Sequence, residues 1–153
     1  MRAKQYQFHS AWSIPAPRET VWHALTAMPF SWASWWPELT NLRAIETHPD
    51  MIGTRFSCTW RAPSGYRLHC DFTITGITPH QQIVLDSSGD LVGTSVWKLS
   101  DQAGATNIAI DWQAQTTKRW MNLLSFLLKP AFVYNHDAIM RSGERGLRRY
   151  LSE

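Results

Sequence analysis

The sequence predicts an α+β domain: an antiparallel sheet of about six to seven strands, greasy on one face only, and a long amphipathic C-terminal helix, with two short helices after the first strand. Three observations predict it. Residues 55–73 alternate apolar and polar side chains on either side of a Pro-Ser-Gly turn, the period of a half-buried hairpin. Phe132, His136, Ile139, Met140, Gly143, Leu147 and Tyr150 trace one stripe at helical spacing. The three segments "QQIVLDSS", "DLVGTSVWKLS" and "TNIAIDWQAQT" read as strands and are joined by the turn-forming "SGD" and "DQAGA".

The elements follow in order. Residues 5–14 predict a first strand, stopped by Pro15. "PAPRETVWHALTAM" predicts a helix with Pro17 at its first position, Glu19 in its first turn, and Val21, Ala24, Leu25 and Met28 on its buried face. Pro29 opposes continuation. "FSWASWW" is then a single turn that puts Trp32, Trp35 and Trp36 on roughly one side before Pro37 ends it. Pro63-Ser64-Gly65 suits a three-residue loop with Gly65 left-handed. That loop sets Ala62 opposite Tyr66, Trp60 opposite Leu68, Cys58 opposite Cys70 and Phe56 opposite Phe72. Arg55, Ser57, Thr59, Arg61, Arg67, His69, Asp71 and Thr73 are left on the wet face. Trp97 and Leu99 share a face, as do Ile108, Ile110 and Trp112. The final helix is expected to begin after Pro130, with Gly143 and Gly146 serving a close approach or an open space.

Composition bounds the function. A chain of 153 residues, 44% apolar and 18% charged, forms one domain over residues 1–153 and buries a core without disulfides or metals. Nine tryptophans are a heavy aromatic load for its size, better suited to lining a pocket than to filling a small core. A net charge of +3 does not predict nucleic-acid binding, and Arg141, Arg145, Arg148 and Arg149 read as a solvated helix face. The N-terminal stretch lacks a signal-peptide apolar run, so a cytoplasmic protein with free thiols is expected, Cys58 and Cys70 being small wall residues. His9, His23, His48, His69 and His80 lack ligand spacing, and no nucleophile elbow or phosphate loop is present. Neither metal nor cofactor is therefore expected.

The order of elements resembles the helix-grip fold of the SRPBCC superfamily, which includes START domains, birch-pollen-allergen-like proteins and polyketide cyclases. "IPAPRETVWHALT" is similar to the family's first strand-to-helix passage, "WWPEL" to its Trp-Pro element and "GTSVWKLSDQAGATNIAIDW" to its late hairpin. "NHDAIMRSGERGL" resembles the closing helix of a bacterial polyketide cyclase/dehydrase-like or lipid-transport-like subgroup. The resemblance implies a curved sheet wrapped around the C-terminal helix, with a deep apolar cavity between the two. Carried onto this chain, it makes Trp36, Phe56, Cys58, Trp60, Tyr66, Leu68, Cys70, Phe72, Trp97 and Trp112 wall candidates, together with Phe132, Asn135, His136, Ile139 and Met140 from the helix. Trp36 is expected nearest the cavity mouth.

His136 is the polar residue on the buried stripe, with Asn135 beside it and Asp137 turned away. Two readings stay open: a structural histidine bonded to a strand backbone or to Tyr66, and a group that orients a ligand carbonyl or moves a proton. The expected function is binding, with transport as a further role, of a small hydrophobic, aromatic or lipid-like molecule. The alternative is a cofactor-independent cyclase or dehydratase using His136. The expected partner is that molecule alone, with the chain a monomer or homodimer. Membrane contact, if any, is a transient touch by residues 119–134 with Lys118, Arg119 and Lys129.

Overall fold

The computed structural model describes residues 5–27, 31–116 and 125–152. Strand β1 (Gln5–Ile14) leads through α1 (Arg18–Thr26) and α2 (Trp32–Trp35) to β2 (Leu39–Glu46). Strands β3 (Arg55–Arg61), β4 (Arg67–Thr78), β5 (Gln82–Gly89), β6 (Leu91–Gln102) and β7 (Ala105–Thr116) follow, and helix α3 (Ser125–Ser152) closes the chain. The seven strands form one antiparallel sheet in the order β1-β7-β6-β5-β4-β3-β2. Neighbours in sequence pair by hairpins, except that α1 and α2 carry the chain from one edge of the sheet to the other. This is the helix-grip arrangement.

The predicted hairpin register is the observed one, with Phe56 opposite Phe72, Cys58 opposite Cys70 and Trp60 opposite Leu68. Gly65 closes the loop at φ +104° with its N–H on the Ala62 carbonyl at 2.9 Å. Bulges interrupt the β2–β3 pairing after Thr40 and after Ala44, and the β4–β5 pairing after Ile74. Each bulge bends its strand and increases the local twist, so the sheet curves where a flat one would leave the helix uncovered.

Four local expectations are corrected. Pro17 caps α1 from outside, its carbonyl accepting the Val21 N–H at 3.0 Å. Helix α3 begins at Ser125 and runs through Pro130, whose ring costs it one backbone bond in its second turn. Tyr150 falls off the buried stripe and is 38% exposed, while its neighbour Leu151 packs against the core in its place. Thr59, assigned to the wet face, is buried, its hydroxyl 2.8 Å from His69 Nδ1 and its carbonyl accepting the Thr40 hydroxyl from β2. Met28 and Pro29 lie outside the described residues, as do residues 117–124 of the predicted membrane-touching stretch. No helix of the described residues is long and apolar enough to cross a membrane.

The two helical glycines seat α3. A Cβ on Gly143 would stand 2.5 Å from Trp36 Cε2, and one on Gly146 would overlap the Trp35 carbonyl oxygen. Glycine lets α3 approach α2 more closely than any other residue would permit. The close approach also lets the Trp36 indole N–H donate to the Ile139 carbonyl at 2.9 Å. Glu144 and Arg148 then fix the outer side of α3 to β1, bonding the Ser13 N–H and carbonyl at 2.8 Å each.

Candidate functional site

Between the apolar face of the sheet and α3 lies a cavity of about 90 Å³. Alternation delivers its walls: Phe56, Cys58 and Trp60 from β3, Leu68 and Phe72 from β4, Trp97 from β6, and Trp112 from β7. Tyr66 enters from the hairpin end, Trp36 from the end of α2, and Phe132, His136, Ile139 and Met140 from successive turns of α3. Two of the expected wall residues stand elsewhere. Cys70 is buried but does not line the cavity. Asn135 is 1% exposed and also lies off the cavity, its amide donating to Ser64 Oγ at 2.7 Å and Tyr66 Oη at 3.3 Å.

Sequence reasoning missed Trp32, Leu39, Ala62, Leu85, Leu91, Ser95 and Ile110, which complete the lining. A signal existed for several of them. Ser95 lies two residues before Trp97 on the same face of β6, and Ile110 two before Trp112 on β7, so period-two counting reaches both. Among the described residues, no Asp, Glu, Lys or Arg lines the cavity.

The tryptophans answer to one another. Trp36 meets Trp60 edge-on at 4.9 Å and Trp12 at 5.3 Å, stacks on Trp35 at 5.5 Å, and Trp32 leans on Trp97 at 5.1 Å. Such pairs add about 0.5–1.5 kcal/mol each beyond the area they bury. Trp36 touches the cavity, but at 1% exposure and tied to Ile139 it is a fixed wall and not a mouth. Trp32, Trp60 and Trp112 are the half-buried members on the cavity.

His136 stacks on Phe8 with centroids 3.9 Å apart and planes 16° apart, and faces Trp112 at 5.4 Å and 21°. Its Nδ1 is buried without a hydrogen bond, so neither a strand carbonyl nor Tyr66 holds that nitrogen. Asp137 is nearer than expected, with Oδ1 at 3.8 Å, beyond hydrogen-bond reach. Burial lowers the pKa of His136 to about 4, against the smaller opposing pull of Asp137. The imidazole is therefore neutral at physiological pH. Burial raises both thiols, Cys70 to about 12, so neither is a nucleophile. The cysteines are unbridged, and no three His, Cys, Asp or Glu among the described residues gather into a metal site.

An open antiparallel sheet gripping a C-terminal helix around an apolar cavity defines a helix-grip protein of the birch-pollen-allergen-like kind. The chain belongs to the family described as polyketide cyclase / dehydrase and lipid transport, whose profile matches residues 6–151. Solved structures agree on the fold. Protein TTHA0849 of Thermus thermophilus superposes with a TM-score of 0.70 at 16% identity, over 93% of this chain and 97% of that one. Ara h 8.0201 does so with 0.63 at 16%, over 98% and 100%. The di-domain ARO/CYC BexL, from a biosynthetic pathway, gives 0.72 at 16%, over 95% of this chain and 49% of its own. No curated protein matches significantly.

Proposed function

We propose that the protein binds a compact hydrophobic molecule, aromatic or lipid-like, inside the cavity between sheet and α3. One observation carries this reading: a chain with nine tryptophans still leaves about 90 Å³ open among the apolar walls of its described residues. Interiors are normally close-packed, so a void of that size costs stability unless something fills it. A single water needs about 10–15 Å³ on this scale, and apolar walls give waters few partners. The volume is well below the roughly 300–1,000 Å³ of drug-sized sites, which favours a small ligand over a long-chain lipid.

The test is extraction. Protein purified under mild conditions is extracted with organic solvent and the extract analysed by mass spectrometry, beside a Leu85→Trp variant whose added ring occupies the cavity. A small apolar compound near one equivalent in the wild type and absent from the folded variant is the expected result. Identical extracts from both would contradict the proposal.

A second reading, catalysis, is favoured by the neutral His136 beside the cavity, since an imidazole able to take or give a proton suits cyclisation or dehydration. The family's description and the ARO/CYC likeness lend it support. His136→Ala separates the two readings: under catalysis, turnover of an aromatic polyketide precursor disappears while affinity stays.

A further inference from the structure

If the cavity takes a small apolar molecule, the chemistry of its lining also says which way round that molecule lies. Three of the five indole N–H groups that line the cavity are already used inside the protein. The indole of Trp32 donates to the Leu25 carbonyl at 2.8 Å, that of Trp36 to Ile139, and that of Trp97 to Ser95 Oγ at 2.9 Å. The exception is one end. Ser95 on β6 sits directly opposite Trp112 on β7, both line the cavity, and His136 stacks over Trp112 from α3.

At that end hydrogen-bonding capacity is left over. Trp112 Nε1, a donor only, is buried without an acceptor. His136, whose side chain is 10% exposed, has Nδ1 buried without a hydrogen bond, its nearest carboxylate oxygen being Asp137 Oδ1 at 3.8 Å. Ser95 accepts the Trp97 N–H and keeps its own hydroxyl proton. Buried polar groups are nearly always satisfied, and two orphans on touching rings point to an atom supplied from outside the chain.

We propose that the cavity selects an uncharged, ring-sized molecule with one acceptor oxygen, a ketone or quinone carbonyl. The oxygen lies at the Ser95–Trp112–His136 end and the ring body toward Phe72 and Leu85. The proposal rests on the binding reading above and sharpens it. The acceptor follows from Trp112, which can only donate. The absence of charge follows from a described lining without Lys or Arg, where a carboxylate would lose its hydration with no cation in exchange. The depressed pKa of His136 agrees, because no imidazolium stands there at neutral pH.

Isothermal titration with 1-tetralone and with tetralin, the same skeleton without the oxygen, tests it in wild type and in Trp112→Phe. The quantity read is the ratio of the two dissociation constants, which cancels the general effect of the substitution on the pocket. The ratio is expected to move at least fivefold against tetralone in Trp112→Phe, and in the same direction in Ser95→Ala, which serves if the first variant does not fold. 1,2,3,4-Tetrahydro-1-naphthoic acid is expected to bind wild type more than tenfold more weakly than tetralone. A ratio unchanged within twofold, or a carboxylate that binds as well as the ketone, overturns the polar end and leaves the cavity reading standing. Failure of both tetralin and tetralone to bind wild type overturns the cavity reading and this proposal with it.

Discussion

His136 shows what burial does to a single side chain. Folding takes it from an ordinary pKa of 6.5 to about 4, so the unfolded chain takes up the proton first as pH falls. Its contribution to stability is therefore whole above pH 6.5 and is lost between pH 6.5 and 4, by about 3 kcal/mol at most. His136→Phe keeps a flat ring between Phe8 and Trp112 and removes the titration. Urea midpoints from pH 7.5 to 4 are expected to fall more steeply for wild type than for the variant; parallel curves would contradict the placement of the imidazole. The helical stripe made the burial of this residue legible in the sequence. Its isolation was not, because which atoms lie within 3 Å of a buried ring depends on the tilt of α3, which no local pattern encodes. For the same reason Asn135, adjacent in sequence and more deeply buried, turned to Tyr66 and Ser64 and not to the cavity.

Among the elements, strands were more legible than helix ends. Period two and a three-residue loop over-determine a hairpin, since a one-residue slip turns every apolar side chain to water, and the β3–β4 register followed from that alone. The start of α3 did not, because Pro130 reads locally as a helix start, whereas the helix begins at Ser125 and absorbs the ring at the loss of one backbone bond. The glycines of α3 make a contest between local preference and packing measurable. Helix propensity alone favours Gly146→Ala by about 1 kcal/mol. The new methyl group would overlap the Trp35 carbonyl, a backbone atom that cannot rotate away, and overpacking of that kind costs about 1–3 kcal/mol or more. The variant is expected to melt about 4–8 °C lower, as a net loss of about 2 kcal/mol implies for a domain of this size. An unchanged or raised melting temperature would mean that α3 does not lean on α2 as described.

At the scale of the molecule, the order of elements carried the fold, and alternation carried most of the wall. What the sequence could not supply was the hollow. A cavity is a difference between two large volumes, that enclosed by the backbone and that filled by side chains, and neither can be read from periodicity. The aromatic load pointed to it only in outline: Trp12 and Trp35 are nearly fully buried off the cavity, while Trp32, Trp36, Trp60, Trp97 and Trp112 line it. That division gives the most direct test of the central claim. Tetralin is titrated into nitrogen-15-labelled protein while the tryptophan indole N–H resonances are followed. Saturable one-to-one shifts are expected at the cavity indoles, Trp32, Trp36, Trp60, Trp97 and Trp112, with Trp22, which packs on His80 away from the cavity, unmoved. Shifts that never saturate, or that appear at Trp22 and not at the cavity indoles, would contradict a ligand-binding interior.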